Sequence, residues 1–356
     1  MTDDAQSFLF DLLDTPSPTG FETPGQRVWA EYVRPHADAL ETDAYGTAWS
    51  TLNGRDEAAP TLMLDAHVDE IGFMVRHITD EGFIHVTRIG GSDRAIARGL
   101  RVRILGDDGP VIGVVDNTAI HIRDTKNESV PKVHELFIDV GADDKDGVHD
   151  RGIRVGHPMV FDVGPTELTG TRITGRAIDN RLGGFIIAQV IERLSDGRPT
   201  WTVQAANSVQ EEIGGHGAAM ISHRLAPDLA VAFDVTHATD SPGISSAEHG
   251  EVKMGEGPAI THGTSTHPQV MQRLMQVADA EDIPLQHEPS DRRTGTDTDS
   301  IFKSRSGVPS GLVSVPLRYM HSTVEVVDTD DIEKCVRLLT AFARSLDAED
   351  EFGVSL

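Results

Sequence analysis

The chain has 356 residues, of which 38% are hydrophobic, so it can build one large domain or two smaller ones with packed cores. Its formal net charge of −26 argues against nucleic-acid binding through backbone phosphates and against attraction to an anionic membrane surface. We expect no membrane span, since no apolar run is long enough, and no signal peptide, since residues 1–14 lack its basic start and apolar run. The lone Cys335 cannot form an internal disulfide, and we therefore expect a cytoplasmic protein.

The charged residues are unusual in kind as well as in number. Only six of the 31 basic residues are lysines, and the acidic residues are spread along the whole chain. Together with few aromatics, this composition is typical of proteins from salt-loving archaea. In molar salt the Debye length falls to about 3 Å, which screens the repulsion among such surface charges. A halophilic protein is predicted, and an acidic enzyme from a mesophile is the alternative.

The sequence changes character twice along its length. Residues 1–71 and 166–356 alternate apolar runs with amphipathic stretches, whereas residues 72–165 are rich in β-forming residues. Four apolar runs of strand length lie in the outer segments: Thr61–Leu64, Trp201–Val209, Leu229–Phe233 and Gly311–Val315. Alternating strands and helices predict a mainly parallel sheet covered by helices on both faces.

Two helices of this α/β part are defined by apolar spacing. One places its apolar residues on a single face at Leu182, Ile186, Val190 and Leu194. The other begins after a capping residue, Asp328 or Thr329, and repeats apolar residues from Ile332 to Leu346. We expect both helices to pack on the sheet.

The β-rich segment contains two hairpin signatures. Pairs of β-forming runs flank Thr79–Gly82 and Asp107–Gly109, where turn residues interrupt them. The sequence therefore predicts a β-rich domain of residues 72–165, inserted into an α/β domain of residues 1–71 and 166–356.

Polar side chains follow each apolar run of the α/β part. They are His67 and Asp69 after the first, Glu211 and Glu212 after the second, Asp234 after the third and His321 after the fourth. Asp179 stands just ahead of the helix that contains Leu182. Because ligands of open α/β sheets bind at the carboxyl ends of the strands, we expect these side chains to meet.

Two histidines and several carboxylates suit zinc, cobalt or manganese. Five ligands with one shared carboxylate suit two ions about 3.5–4 Å apart, with Glu211 free to act as the base. Each signal alone has a structural explanation: a packed histidine, a solvated acidic pair or a capping Asp-Asn. The residues by themselves leave a hydrolytic metal site and a purely structural arrangement open.

The sequence resembles the dinuclear metallo-aminopeptidases that include glutamyl aminopeptidase and the tetrahedral TET aminopeptidases. The similarity extends over nearly the whole chain, in order. The matching stretches are PTGFE (18–22), LDAHVDEIGFMV (64–75), GRAIDNRLGG (175–184), VQEEIGGHGA (209–218), FDV (233–235), GTDTDSI (295–301) and GVPSGLVSVPLRYMHSTVEVV (307–327).

The resemblance implies a zinc-exopeptidase-like fold and two divalent metal ions per subunit, zinc or cobalt with manganese as a further option. It implies five ligands: His67 and Asp234 for one ion, Glu212 and His321 for the other, and Asp179 between them. Glu211 would be the base, and Asp69 would orient the imidazole of His67. A cis peptide after Asp179 is also implied. The family pattern differs at His216, which we interpret as a helix-start residue rather than a substrate contact.

The function implied is removal of N-terminal residues from short peptides, with broad specificity for neutral residues and an option for basic ones. The resemblance also implies that the domain of residues 1–71 and 166–356 is catalytic. The inserted domain of residues 72–165 would be β-barrel-like and would form dimers that assemble into a tetrahedral dodecamer. Two alternatives remain open from the residues: a metal-dependent deacylase or amidohydrolase, and a glycosidase built on paired carboxylates. No nucleic acid or membrane partner is expected.

Overall fold

A computed structural model describes residues 1–56, 58–124, 126 and 128–354. The helices of the described residues are α1 (Asp3–Asp14), α2 (Thr23–Val33), α3 (Lys145–His149), α4 (Ile178–Ser195), α5 (His216–Leu225), α6 (Ser246–His249), α7 (Pro268–Ala280), α8 (Thr298–Ile301) and α9 (Thr329–Arg344). Within those same ranges, no helix has the length and the apolar character needed to cross a bilayer.

The strands of the α/β part are β1 (Ala39–Thr42), β2 (Ala48–Leu52), β3 (Thr61–His67), β10 (Thr166–Glu167), β11 (Arg172–Gly175), β12 (Thr202–Ser208), β13 (Leu229–His237), β14 (Ala259–Gly263), β15 (Gln286–Ser290), β16 (Ser310–Leu317) and β17 (Glu325–Asp328). The intervening segment contains β4 (Gly72–Ile78), β5 (Ile84–Ile89), β6 (Arg101–Gly106), β7 (Gly109–Val115), β8 (Phe137–Asp139) and β9 (Pro158–Phe161).

In the described part of the chain, eight strands form the large sheet in the order β1-β2-β12-β3-β13-β16-β14-β15. The four strands predicted from apolar runs, β12, β3, β13 and β16, are its parallel centre. Their side chains are almost all buried, as expected of parallel strands covered on both faces. The predicted α/β fold with a mainly parallel sheet is confirmed.

Helix α4 lies against this centre. It is buried on nearly all sides, and it packs on β3, α1 and α9, so that its buried apolar residues join the main hydrophobic core. The predicted second helix, α9, begins at a cap in which the Asp328 side chain accepts the backbone N–H of Asp330. Both helix predictions are therefore confirmed.

The β-rich segment closes into a barrel in the order β4-β5-β8-β7-β6-β9. Its two predicted hairpins are present, β4 with β5 and β6 with β7, and β9 closes the barrel by pairing with both β4 and β6. The barrel has a hydrophobic core of its own, separate from the core around α4. The division into domains at residues 71 and 165 stays a proposal.

Candidate active site

Six of the predicted site residues line one cavity of about 670 Å³ at the carboxyl ends of the central strands. The six are His67, Asp179, Glu211, Glu212, Asp234 and His321. The seventh, Asp69, is fully buried behind His67. The structure thus brings together every residue that the sequence singled out.

Strand register and backbone conformation determine how these side chains converge. His67 ends β3 and lies beside Ser208 at the end of β12, so the turn after β12 reaches the same edge. That turn begins at Gln210 in a left-handed conformation, with φ of 60°. The turn carries Glu211 and Glu212 before α5 begins. Asp179 is contributed by the irregular first turn of α4, which contains the expected cis peptide between Asp179 and Asn180.

Asp179 stands between the two histidines. Its Oδ1 lies 3.3 Å from His67 Nε2, and its Oδ2 lies 3.2 Å from His321 Nε2. Although burial raises the pKa of this carboxyl, hydrogen bonds from the two imidazoles hold it well below its usual value. One carboxylate with an oxygen directed at each histidine has the geometry needed to bridge two positions.

Two groups of possible ligands share this bridging carboxylate. Among the described residues, His67, Asp179 and Asp234 form one group and Asp179, Glu212 and His321 form the other, with the ligand atoms of each within 4.8 Å of one another. His67 Nε2 is 3.9 Å from Asp234 Oδ1, and His321 Nε2 is 3.5 Å from Glu212 Oε2. Nitrogen and oxygen donors in these proportions suit a divalent transition metal.

The electrostatics of the cavity also fit a pair of cations. Burial and the charge of Asp179 raise the pKa of both Glu212 and Asp234 well above the usual carboxyl range. The Glu212 Oε1 atom is buried without a hydrogen-bond partner. A buried acceptor without a donor is unfavourable unless a ligand satisfies it, and a divalent ion would also relieve the carboxylate repulsion.

Glu211 belongs to neither group of ligands. Its Oε2 lies 3.8 Å from His67 Nε2, and its side chain is still partly accessible from the cavity. Burial, with the charges of Asp179 and Asp69, raises its pKa to about 7. A carboxylate with a raised pKa beside the ligands is suited to accept and return a proton.

Asp69 makes more contacts than the sequence suggested. Its Oδ1 lies 3.4 Å from His67 Nδ1, and its backbone carbonyl oxygen lies 3.2 Å from the same ring nitrogen, so both groups of Asp69 can orient the imidazole. It also accepts the backbone N–H groups of Glu211 at 3.0 Å and Glu212 at 3.2 Å, and the hydroxyl of Thr19 at 2.8 Å. Asp69 therefore connects the histidine to the turn that carries the candidate base.

A buried network of charged residues surrounds Glu70, and the sequence did not predict it. This carboxylate accepts hydrogen bonds from Arg176, from Arg181 at 2.8 Å and from the backbone of Ser17 at 2.9 Å. Arg181 is 1% exposed and immediately follows the irregular turn that supplies Asp179. The network thus anchors the start of α4 to the segment after β3. Its signal was Glu70 itself, an acidic residue inside the matched stretch 64–75.

Two details differ from or refine the sequence prediction. Asp234 does not follow its strand, because β13 continues to His237 and pairs residue by residue with β16 over this extension. A polar residue can lie within a parallel strand since the ladder uses only backbone groups. His216 is the first residue of α5 and is exposed, in agreement with the helix-start interpretation.

Comparison with known proteins places this geometry in a family. Residues 46–338 match the model of the M42 glutamyl aminopeptidase family. A lysyl aminopeptidase of Pyrococcus furiosus is 30% identical, over 95% of this chain and 96% of that protein. A TET aminopeptidase from a marine sediment thaumarchaeote superposes with a TM-score of 0.92 at 30% identity and 98% coverage of both chains.

A third similar structure is the TET1 peptidase of Pyrococcus horikoshii, which can assemble into a tetrahedron or a large octahedral shell. It has a TM-score of 0.85 and 28% identity, over 96% of this chain and 100% of that one. The family match covers most of the chain and includes every strand of the candidate site. The chain therefore belongs to the M42 family of peptidases and is an aminopeptidase.

Proposed function

We propose that this aminopeptidase removes the N-terminal residue of short peptides with a water molecule activated at a two-metal site. The observation that carries the proposal is the position of Asp179, whose two oxygens face His67 and His321 separately. His67 and Asp234 would complete one ion's ligands, and Glu212 and His321 would complete the other's. Zinc or cobalt is proposed, with manganese as a further option.

The chemistry that such ions supply when bound is polarisation of the scissile carbonyl and a lowered pKa of the attacking water. Glu211 then accepts a proton from that water through its carboxylate and returns it to the leaving amine. Asp69 accepts the backbone N–H of Glu211 and so fixes the backbone from which the Glu211 side chain extends. The adjacent Glu212 lies with Asp179 and His321 and would bind metal. Neighbouring residues would thus serve as base and as ligand.

The lining of the cavity favours small substrates with varied N-terminal side chains. It is lined by the acidic ligands, by the apolar side chains of Val235 and Met320, and by the cationic Arg293 and Lys303. We therefore propose broad activity on neutral N-terminal residues, with basic ones as an option. A panel of aminoacyl substrates, assayed at high salt with zinc, cobalt and manganese, tests this specificity.

The assembly is proposed from the similar structures. Because a relative with a TM-score of 0.85 can assemble into a tetrahedron, we propose that the inserted domain of residues 72–165 forms dimers and that these build a tetrahedral dodecamer. A cytoplasmic location is proposed from the single cysteine, which is buried and free. Analytical ultracentrifugation of the purified protein at high salt distinguishes a dimer from a dodecamer.

Exchange of Glu211 for Gln tests the mechanism. We expect turnover to fall by at least about 10²-fold, the usual size of a general-base contribution, while bound metal per subunit stays at the wild-type value. Glu212→Gln is the matched control, one residue along the same turn, and it should lower the metal content. Full activity of Glu211→Gln would exclude this residue as the base.

A second experiment tests the aminopeptidase assignment against a deacylase. Each peptide is offered with a free amine and with an N-acetyl group, and release of the first residue is measured. An aminopeptidase needs the free amine, so only the unblocked peptides should be hydrolysed. Faster hydrolysis of the acetylated peptides would favour the amidohydrolase alternative.

A further inference from the structure

Glu325 lies between the two backbone turns that carry Asp179 and His321. Its Oε2 accepts the backbone N–H of Ile178 at 2.8 Å and that of Asp179 at 3.2 Å. Its Oε1 accepts the backbone N–H of His321 at 2.8 Å. The residue is 2% exposed, so water does not supply alternative partners for these three donors.

The fold explains why one side chain reaches both turns. Glu325 begins β17 and is paired in register with Gly175, the last residue of β11. The chain leaves β11 toward Asp179, and it arrives at β17 from the loop that carries His321. The antiparallel pairing of β11 and β17 therefore brings the two turns to the same end of this ladder, where Glu325 Oε2 contacts one turn and Oε1 contacts the other.

The His321 turn depends on such an internal acceptor. Its base is closed by mutual hydrogen bonds of 3.0 Å between the backbones of Arg318 and Val326. Within it, Tyr319 and His321 adopt left-handed conformations with φ of 62° and 60°. Residues other than glycine rarely adopt this conformation. Residues in this region persist only where their surroundings hold them. The Glu325 carboxylate holds the N–H of one of the two.

We propose that Glu325 is a positioning residue that sets the second metal position, formed by Asp179, Glu212 and His321. The inference rests on the proposed two-metal function and adds to it a residue that contacts no substrate. The first position is less dependent on Glu325, because His67 and Asp234 lie on the central strands β3 and β13. Loss of the Glu325 carboxylate should therefore lower the metal affinity of the second position more than that of the first.

Glu325→Gln tests this inference, because glutamine keeps the shape and loses one acceptor. The three groups that hydrogen-bond to the side chain are all backbone N–H donors, so the amide nitrogen must oppose at least one of them. In the favourable orientation, the glutamine oxygen still accepts the backbone N–H groups of Ile178 and Asp179. The glutamine NH₂ group then faces the backbone N–H of His321, which loses its acceptor. Loss of such a contact beside a metal ligand typically weakens metal binding by about 10–100-fold.

The experiment titrates the metal-free full-length protein with Co²⁺ and follows both heat and the visible absorption of bound cobalt. In Glu325→Gln we expect weaker binding at one position by about 10–100-fold and little change at the other. Excess Co²⁺ should restore kcat with KM near the wild-type value. Glu325→Asp keeps both oxygens but withdraws them by one methylene, and it should weaken metal binding at the same position. It serves as the test if Glu325→Gln does not fold.

Asp331→Asn is the matched control. Asp331 is also fully buried and accepts backbone N–H groups, those of Gly255 and Gly257, but it lies outside the candidate site. It should lower the unfolding temperature and leave both cobalt affinities unchanged. An equal loss of cobalt affinity in Asp331→Asn, or loss at both positions in Glu325→Gln, would show general destabilisation and overturn the inference.

The outcomes also separate this inference from the function on which it rests. A wild-type protein that binds a single Co²⁺ contradicts the two-metal function, and the inference with it. A wild-type protein with two cobalt positions, together with unchanged affinities in both Glu325 variants, overturns the inference alone. Two positions in the wild type and selective weakening in the variants support both.

Discussion

The backbone N–H of Glu211 donates a 3.0 Å hydrogen bond to Asp69 Oδ1, the same oxygen that lies 3.4 Å from His67 Nδ1. One buried carboxylate thus fixes the candidate base and a candidate ligand relative to each other. The two residues are 142 positions apart in the sequence, and they meet because β3 and β12 are neighbours in the sheet. Movement of Asp69 should therefore affect metal binding and proton transfer together.

Asp69→Asn tests this coupling. The carboxylate accepts from Glu211, Glu212 and Thr19, whereas an asparagine must direct its amide nitrogen at some of these donors. We expect metal affinity to fall by about 10–100-fold and kcat at saturating metal to stay below the wild-type value. Metal titration and steady-state kinetics measure the two effects. Thr19→Val removes a single donor and serves as the milder control; an asparagine variant with wild-type kcat would contradict the coupling.

Gly217 provides a steric test of the same turn. A Cβ at this position would lie 2.3 Å from the carbonyl oxygen of Val209 and 2.5 Å from its nitrogen, both backbone atoms that cannot turn aside. Gly217→Ala should therefore push α5 away from the segment before Glu211. Overpacking of this kind costs about 1–3 kcal/mol, and we expect reduced kcat in addition to a lower unfolding temperature.

The control for Gly217→Ala is Gly197→Ala. A Cβ at Gly197 meets only the end of the Arg344 side chain, at 3.6 Å, an ordinary contact distance. This variant should keep the wild-type kcat, and its free energy of unfolding should change by no more than about 0.5 kcal/mol. Equal behaviour of the two alanine variants would show that the contact between α5 and Val209 does not constrain the site.

The sequence predicted the centre of the fold well because its signals there are local. Strand β3 is a continuous apolar run that ends in His67, and the edge of a parallel sheet collects whatever polar residues end its strands. The seven site residues could therefore be grouped before any distance was known. Their division between two metal positions came from the family resemblance, and it stays a prediction.

Sequence patterns did not predict the residues that hold the ligands in place. Glu325 contacts Asp179 across 146 positions, and Glu70 contacts Arg181 across 111. No local periodicity encodes such contacts, since they depend on strand order and on which buried acceptor faces which turn. The closure of the barrel by β9 was not predicted for the same reason, and the end of β13 was placed too early because Asp234 is polar.

Glu22 gives a prediction about pH. It is 4% exposed and accepts the backbone N–H of Gly20 at 2.7 Å. Burial, with the charge of Asp69, raises its pKa from 4.5 to about 7. The unfolded chain therefore ionises first, and the wild-type protein loses stability as pH rises from about 4.5 to about 7. Glu22→Gln does not titrate, so its unfolding free energy should exceed the wild-type value by up to about 3 kcal/mol above pH 7.

Thermal unfolding at pH 5 and pH 8 measures this difference. The advantage of Glu22→Gln should be small at pH 5 and larger at pH 8. Glu31→Gln, at an exposed position of α2, the helix that begins directly after Glu22, controls for the loss of one negative charge. A difference that is equal at the two pH values, or larger at pH 5, would show that ionisation of Glu22 does not oppose folding.

The net charge of −26 predicts that stability depends on salt. Repulsion among surface carboxylates is screened as the Debye length falls from about 10 Å at 0.1 M to about 3 Å at 1 M. We expect the unfolding temperature to rise steeply between 0.05 and 0.5 M KCl, the range in which screening changes most. Potassium chloride is preferred to a sulfate, because sulfate also strengthens apolar burial through exclusion from the surface. A flat response in this range would favour the mesophilic alternative, since a protein adapted to low salt must tolerate its own charge unscreened.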